Sequence, residues 1–292
     1  MVAKSDANHE HISYHLTQTT PTRLIIGQNS TSAPALFMHL HGATLVPATG
    51  GTLQPLFDSS IPIAFMDADL SGNTTPIVTQ NGASLTLRHV TVHDSQRLAV
   101  AGAFVAKQLS IYNNTDATAA IVVTGPYDVT IDRGQIHDAV SVLSVPSASH
   151  VHLTNLMVWN VTNRPFNLAL NAGDLQFSTI AKSGGSTTTA PCILSCGSQF
   201  HVTSSIIWQP QCNGTFQDAA GPCSFQSSIV SNANAPAGTT NANPMFVDPN
   251  ADFHIRPTSA ARDAVDTGPA VDFEGDARPG GPKYDIGADE IP

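Results

Sequence analysis

Apolar residues fall at the first, third, sixth and eighth places of LTLRHVTVHD, residues 85–94: Leu85, Leu87, Val90 and Val92. The frame returns in FVAKQLSIYN from Phe104, VTIDRGQIHD from Val129 and VHLTNLMVWN from Val151. Weaker copies start at Met38, Ile63, Leu175, Phe200 and Cys223, so the line recurs every 19–25 residues. Alternation on either side of one extra residue predicts two short strand pieces with a bend between them. A loose repeat of this length marks a solenoid. The pieces are rich in Val, Ile, Leu and Thr, and no stretch has helical periodicity. The expected fold is all-β: a right-handed parallel β-helix of about nine or ten rungs. Two places strain the frame. Gly134 leaves a gap at a sixth position, and Lys182, counted from Leu175, falls on an inward one.

Stacking the copies turns each place in the line into a column. Leu87, Ala106, Ile131, Leu153 and Val202 should form one interior column. The tenth column reads Asp94, Asn113, Asp138, Asn160 and Asn232, which suits a polar ladder bonding turn to turn. The ninth reads His93, Tyr112, His137, Trp159 and Trp208, a row of rings at a corner. Its bland role is surface packing. Its functional role is a sugar platform, since ring faces pack on the apolar faces of pyranoses. The fourth column reads Met66, Arg88, Lys107, Asp132, Thr154, Ser178 and Thr203. The second includes Thr130, His152, Gln176 and His201. Both should face solvent. Arg88, Lys107 and Asp132 then follow one another on adjacent turns about 4.8 Å apart.

Charge and composition narrow the partners. The 292 residues carry a net charge of −10, with half of the 22 acidic residues beyond residue 210. The centre is neutral. No basic stripe exists for phosphate neutralisation, so a nucleic-acid partner is not expected. No apolar run is long enough to span a membrane. A neutral middle leaves room for an anionic polysaccharide. Charged residues make up only 12%; Ser, Thr, Asn and Gly take their place, as tightly bent coils require. The four cysteines, Cys192, Cys196, Cys212 and Cys223, cluster in a loop-rich stretch. Two local disulfides, Cys192–Cys196 and Cys212–Cys223, are favoured over zinc, because no repeated C-x₂-C pair is present. Disulfides imply an oxidising compartment, so a secreted or extracytoplasmic chain is expected. The opening MVAKSDANHE lacks a signal peptide's apolar core, so the sequence reads as a mature or trimmed form.

The last 50 residues change character. Pro244, Phe246, Asp248 and Pro249 are followed by Ser259, Ala260, Asp263 and Gly268, then by Asp272, Gly275, Arg278, Pro279, Asp285, Gly287 and Glu290. This series resembles the closing segment of secreted bacterial parallel β-helix proteins with a pectate-lyase-like superhelix. The resemblance implies that residues 1–242 form the rungs and residues 243–292 a coil cap of the same domain. A cap is needed because a solenoid's last turn leaves its backbone unpaired.

Two reaction templates fit the columns. β-Elimination of a uronate polymer needs a cation at the carboxylate and a base for the C5 proton. Arg88 suits the first role and Lys107 the second. Asp132, His137 and Tyr112 complete the catalytic candidates, with His137 or Tyr112 as alternative base or as acid to the leaving oxygen. Alginate and chondroitin lyases of the β-helix kind are similar in placing Lys and Arg on neighbouring rungs. His93, Trp159, Trp208 and His152 are the candidate substrate-binding residues. The second template is a polygalacturonase-type hydrolase, which uses paired carboxylates; Asn114-Thr115-Asp116 resembles one fragment of it. The sequence requires no cofactor, though a calcium ion is compatible with it, and a monomer is expected. The leading expectation is a polysaccharide lyase, followed by a non-catalytic glycan-binding or cell-surface protein and then a glycoside hydrolase.

Overall fold

The computed structural model describes residues 62–72, 76–79, 82–145, 149–183, 193–209, 223–231 and 236–291, with short strands before residue 62. Every regular element among them is a strand, and the strands wind into a parallel β-solenoid. One sheet has 14 strands and a second has 8. A typical turn gives a long strand to the first sheet, as Leu85–His93 and Phe104–Tyr112 do. It then gives a short one to the second, as Leu98–Val100 and Ile121–Val123 do. The coil makes about six turns, fewer than the nine or ten expected. The copies at Phe200 and Cys223 add strands to the long sheet alone among the described residues.

The frame works as read. Leu87, Ala106, Ile131, Leu153, Leu175 and Val202 are register partners in sequence and all are buried. Each Leu, Ile or Val side chain among them contributes on the order of 2 kcal/mol by leaving water. Gly134 leaves no void, because Leu156 of the next turn reaches over it; a Cβ there would stand 3.0 Å from Leu156 Cδ2.

One copy was misplaced by two residues. Gly173, not Leu175, pairs with Val151 and Phe200 at the first position. A Cβ on Gly173 would lie 2.0 Å from the Val151 carbonyl oxygen, and φ is +129°. Only glycine fits there, so the apolar marker that starts the other copies is missing. The shift moves Lys182 from an inward place to the exposed tenth. It also moves Ser178 from the fourth column to the buried sixth, where Ser205 and Ser228 follow it. Ser178, Ser205 and Ser228 each accept an amide from the preceding turn, at 3.1, 3.2 and 3.2 Å. Each donates to the carbonyl two residues back. The buried hydroxyls are thereby satisfied.

The extra residue of the line is a left-handed one. Asp67, His89, Gln108, Arg133, Asn155, Phe177, Ser204 and Ser227, all at the fifth position, have φ between 45° and 59°. A non-glycine residue there costs about 1–2 kcal/mol. The register of both flanking pieces enforces it, turn after turn. A second left-handed column, Asp94, Asn113, Asp138, Asn160 and Lys182, closes the long strands.

The C-terminal segment lies along the flank of the coil. Met157, Ile206 and Ile229, at the outward seventh position of three turns, join Phe246, Phe253, Ile255, Phe273 and Ile286 in a second buried core. Asn155 Nδ2 donates to the Val271 carbonyl at 3.0 Å, Gly287 N to Ser204 O at 2.9 Å, and Ala288 N to Thr179 Oγ1 at 3.0 Å. Arg278 is fully buried within the segment. Its Nη2 donates to the carbonyls of Gly287 and Asp289, and its guanidinium lies 5.1 Å from the Phe177 ring centre.

The disulfide pairing differs from the expected one. Cys196, at the end of a short second-sheet strand, bonds Cys223 on a later turn, across 27 residues. The two cysteines sit 5.6 Å apart at Cα because stacked turns bring them together, whereas the expectation weighed only closeness along the chain. Cys192 and Cys212 lie outside the described residues. No helix among the described residues is long and apolar enough to cross a membrane.

Candidate functional site

The bend generates the site. Positions four and five both point outward, so each turn presents two neighbouring side chains there before the alternation resumes. Arg88, Lys107 and Asp132 are register partners on three adjacent turns, as expected. Arg88 and Lys107 are exposed. Lys107 Nζ stands 3.7 Å from Asp132 Oδ2, and Arg133 Nε lies 3.8 Å from the same oxygen.

A cleft of about 420 Å³ opens over positions five to seven of these turns. His89, Thr91, Gln108, Ser110, Arg133 and Gln135 line the coil side, and Phe273 and Glu274 of the C-terminal segment form the far wall. Arg88 and Lys107 immediately precede two lining residues, His89 and Gln108. Arg133 was missed from the sequence. It sits at the fifth position, where the frame offers no inward or outward rule.

The ring column forms, but not as a platform. His93 and Tyr112 stack at 4.9 Å and 6°, Tyr112 and His137 at 5.5 Å and 9°, His137 and Trp159 at 4.1 Å and 15°. Stacked rings spend their faces on each other, so the column offers edges to a ligand: imidazole nitrogens, a phenol and an indole N–H. Phe253 lies 6.0 Å from Trp159 on the segment side. Ala181 interrupts the next turn as the register partner of Trp208. Trp208 packs instead against the second core. Trp159 and Trp208 are half-buried and pack against the second core on the covered flank.

Each imidazole of the column is anchored by its neighbouring acid. His93 Nδ1 bonds Asp94 Oδ2 at 2.7 Å, and its Nε2 faces Asp69 at 3.2 Å. The Asp94 bond, with Asp69 beyond it, raises the imidazole above its ordinary value despite slight burial. The His93 and Asn113 hydrogen bonds hold Asp94 below the usual carboxylate range. His137 Nδ1 bonds Asp138 at 2.6 Å. The tenth-column ladder is real but outward, and it is paired: Asn113 donates to Asp94 at 3.2 Å and Asn160 donates to Asp138. Asn232 lies outside the described residues.

The remaining candidates stand apart. His152 is exposed on the second column and bonds Asp174 at 2.8 Å. Asp174 rather than Gln176 holds that column once the frame starts at Gly173. His201 Nδ1 bonds Ser224 Oγ at 2.5 Å on the same column. Asn114 and Asp116 are buried. Asp116 is gripped by Arg97 at 3.0 Å and by Thr118 at 2.6 Å. Burial pushes that carboxyl up, but the Thr118 hydrogen bonds and the Arg97 charge outweigh it and hold it low. It is a turn-fixing residue, held by Arg97 and Thr118.

No protein-family model matches this chain, and no curated protein matches it. The functional reading therefore stands on the geometry.

Proposed function

We propose that the cleft binds an acidic, uronate-containing polysaccharide, and that the chain is a secreted carbohydrate-active protein cleaving it by β-elimination. The observation that carries this reading is a run of cations, Arg88, Lys107 and Arg133, on three consecutive turns beside one polar cleft. Turns about 4.8 Å apart place successive charges at a spacing that suits sugar carboxylates along an extended chain. Arg88 and Arg133 neutralise the carboxylate, which acidifies the neighbouring C5–H. Lys107 takes that proton. The freed electron pair forms the C4–C5 double bond and the C4–O bond breaks. The departing oxygen takes its proton from solvent at the open cleft, because Tyr112 and His137, at the ninth position, are not among the residues lining it.

A non-catalytic glycan-binding protein is the second reading. Lys107 and Asp132, 3.7 Å apart, favour it, because the amine is already engaged with a carboxylate.

Ultraviolet absorbance of the unsaturated product, measured on a panel of uronate polymers, separates the two. Elimination predicts growing absorbance, and a fall of about 10²-fold in turnover for Lys107→Ala with binding retained. Arg88→Ala should weaken both binding and turnover, because it meets charge present before and during reaction. Binding that needs Arg88 and Arg133 without any product would establish the second reading. No binding to any acidic polymer would refute both.

A further inference from the structure

The wall of the cleft carries a second cluster, made by the C-terminal segment; Arg133 of the coil reaches its edge, with Nη1 3.7 Å from where a Cβ on Gly275 would stand. Residues 272–276 read DFEGD, acidic at alternate places with a glycine at the turn. One carboxylate oxygen each from Asp272, Glu274 and Asp276 lies within 4.8 Å of the other two. Asp272 is fully buried. Its Oδ1 accepts the amides of Glu274, Gly275 and Asp276 at 2.9, 2.8 and 2.9 Å, which curls the loop around the carboxylate. Its Oδ2 is buried and has no hydrogen-bond partner among the described residues. A buried carboxylate oxygen left bare is costly unless a cation meets it.

No protein cation does so. Among the described residues no lysine or arginine nitrogen comes within 4.0 Å of these three carboxylates. Arg278 acts on Asp272 only through its field: it faces Glu290 at 3.6 Å and gives its Nη2 to backbone carbonyls. Glu274 meets His254 Nε2 at 3.2 Å. A further carboxylate, Asp289, stands in the same neighbourhood, with one oxygen within 4.8 Å of ligand atoms of His254 and Glu274. The cluster is thus a concentration of negative charge that combines a buried carboxylate with one unsatisfied oxygen, on Asp272, and two exposed carboxylates, on Glu274 and Asp276.

We propose that the Asp272–Glu274–Asp276 loop binds a calcium ion that fixes the fold of this loop of the C-terminal segment. Hard oxygen donors at alternate places of a tight loop are the donor set calcium takes, and its flexible coordination accepts waters on the exposed side. Magnesium requires stricter octahedral geometry and gives up its waters reluctantly. Zinc favours a set with nitrogen in it, which is the neighbouring His254–Glu274–Asp289 group.

The test is calorimetric titration of the full chain with calcium chloride, paired with thermal melts in calcium and in a chelator. The expected result is one ion per chain, and a melting midpoint higher by roughly 5 °C at a hundredfold excess over the dissociation constant. Asp276→Asn, an exposed and near-isosteric change, should weaken binding at least tenfold while leaving the chelated melting point unchanged. Asp272→Asn keeps an amide-accepting oxygen for the loop and should also lose the ion. The idea is overturned if no heat and no shift appear at calcium about tenfold above the roughly 10⁻³ M constants of weak extracellular modules. It is equally overturned if zinc or manganese alone responds and His254→Ala, not Asp276→Asn, abolishes the response. That result would place the ion in the nitrogen-containing group instead.

Discussion

The second piece of every long strand sends its seventh position outward, yet the flank has two halves. On the earlier turns that position holds Thr91, Ser110 and Gln135, and the surface lies open beside the cleft. On the later turns it holds Met157, Thr179, Ile206 and Ile229, all buried under the C-terminal segment. Backbone geometry is the same in both halves, since both carry the left-handed bend and the same register. The difference lies in side-chain chemistry alone. In a solenoid, outward does not mean solvated: an outward column can become the floor of a second core when the chain returns to cover it. The seventh column gives notice of this change before any contact is known, because its polar run ends at Met157.

A charge placed at the seventh position should separate the halves most sharply. Ile206→Asp buries an unpaired carboxylate beneath the segment and should cost at least about 3 kcal/mol, read by denaturant unfolding. Ser110→Asp, in the same column on the open half, should stay within about 0.5 kcal/mol. Equal losses at both sites would mean that the segment does not protect the later turns. Removing the cover's own anchor comes next. Phe253→Ala should cost about 3 kcal/mol and speed proteolysis of the segment, since the ring packs against both Trp159 and Phe246.

Acidity should act on the covered half with a definite sign. Burial pushes Asp289 up to about 6 from 3.8, with Asp272 and Glu274 adding to the shift. Burial likewise raises Asp285 and Glu290. A raised carboxyl binds its proton more tightly in the folded state. Its stabilising effect is full below its unfolded value and fades as pH climbs through the folded one. For Asp289 the span is on the order of 3 kcal/mol. His254 works in the same sense: burial lowers it, but Asp252, Asp289 and Glu274 outweigh that and raise it. The segment should therefore resist proteolysis better at pH 5 than at pH 8. The acids of the open half oppose this only at lower pH, because Asp94 is held low and loses its contribution as pH falls below the usual carboxylate range. A segment cut faster at pH 5 than at pH 8 would contradict the assignment.

The smallest effect belongs to the bend of the open half. Gln108→Gly on the open half relieves a left-handed φ of 56° and should stabilise by about 0.5 kcal/mol, after the entropy cost of glycine is set against the relief. Phe177→Gly at the same position of the covered half should destabilise, since that ring packs on Tyr284 and Arg278.

The sequence revealed what repeats and concealed what occurs once. Leu87, Leu153 and their column-mates were legible because period-two alternation recurs turn after turn, and so were the adjacent cations Arg88 and Lys107. Gly173 was not, because the residue that fits is the one that erases the apolar marker. The Cys196–Cys223 bond depends on which turns lie beside one another, a property of the coil and not of spacing. The stacking of His93, Tyr112, His137 and Trp159 follows from their shared column, but the column alone does not say whether rings turn faces or edges outward. Arg133 and Glu274 line one cleft from distant stretches of chain, and no local pattern joins them.

The outer edge of the long sheet counts in twos. Asp94 with His93 is answered by Asn113 with Tyr112, and Asp138 with His137 by Asn160 with Trp159. The core repeats with every turn, but this edge repeats with every second one. Excising residues 104–128 would keep the interior in phase while setting Asp94 upon Asp138 and His93 upon His137, acid against acid and imidazole against imidazole. Excising two consecutive turns would restore the alternation. The natural unit for lengthening or shortening this part of the chain is thus a pair of turns, a parity rule written on the surface and invisible to the core.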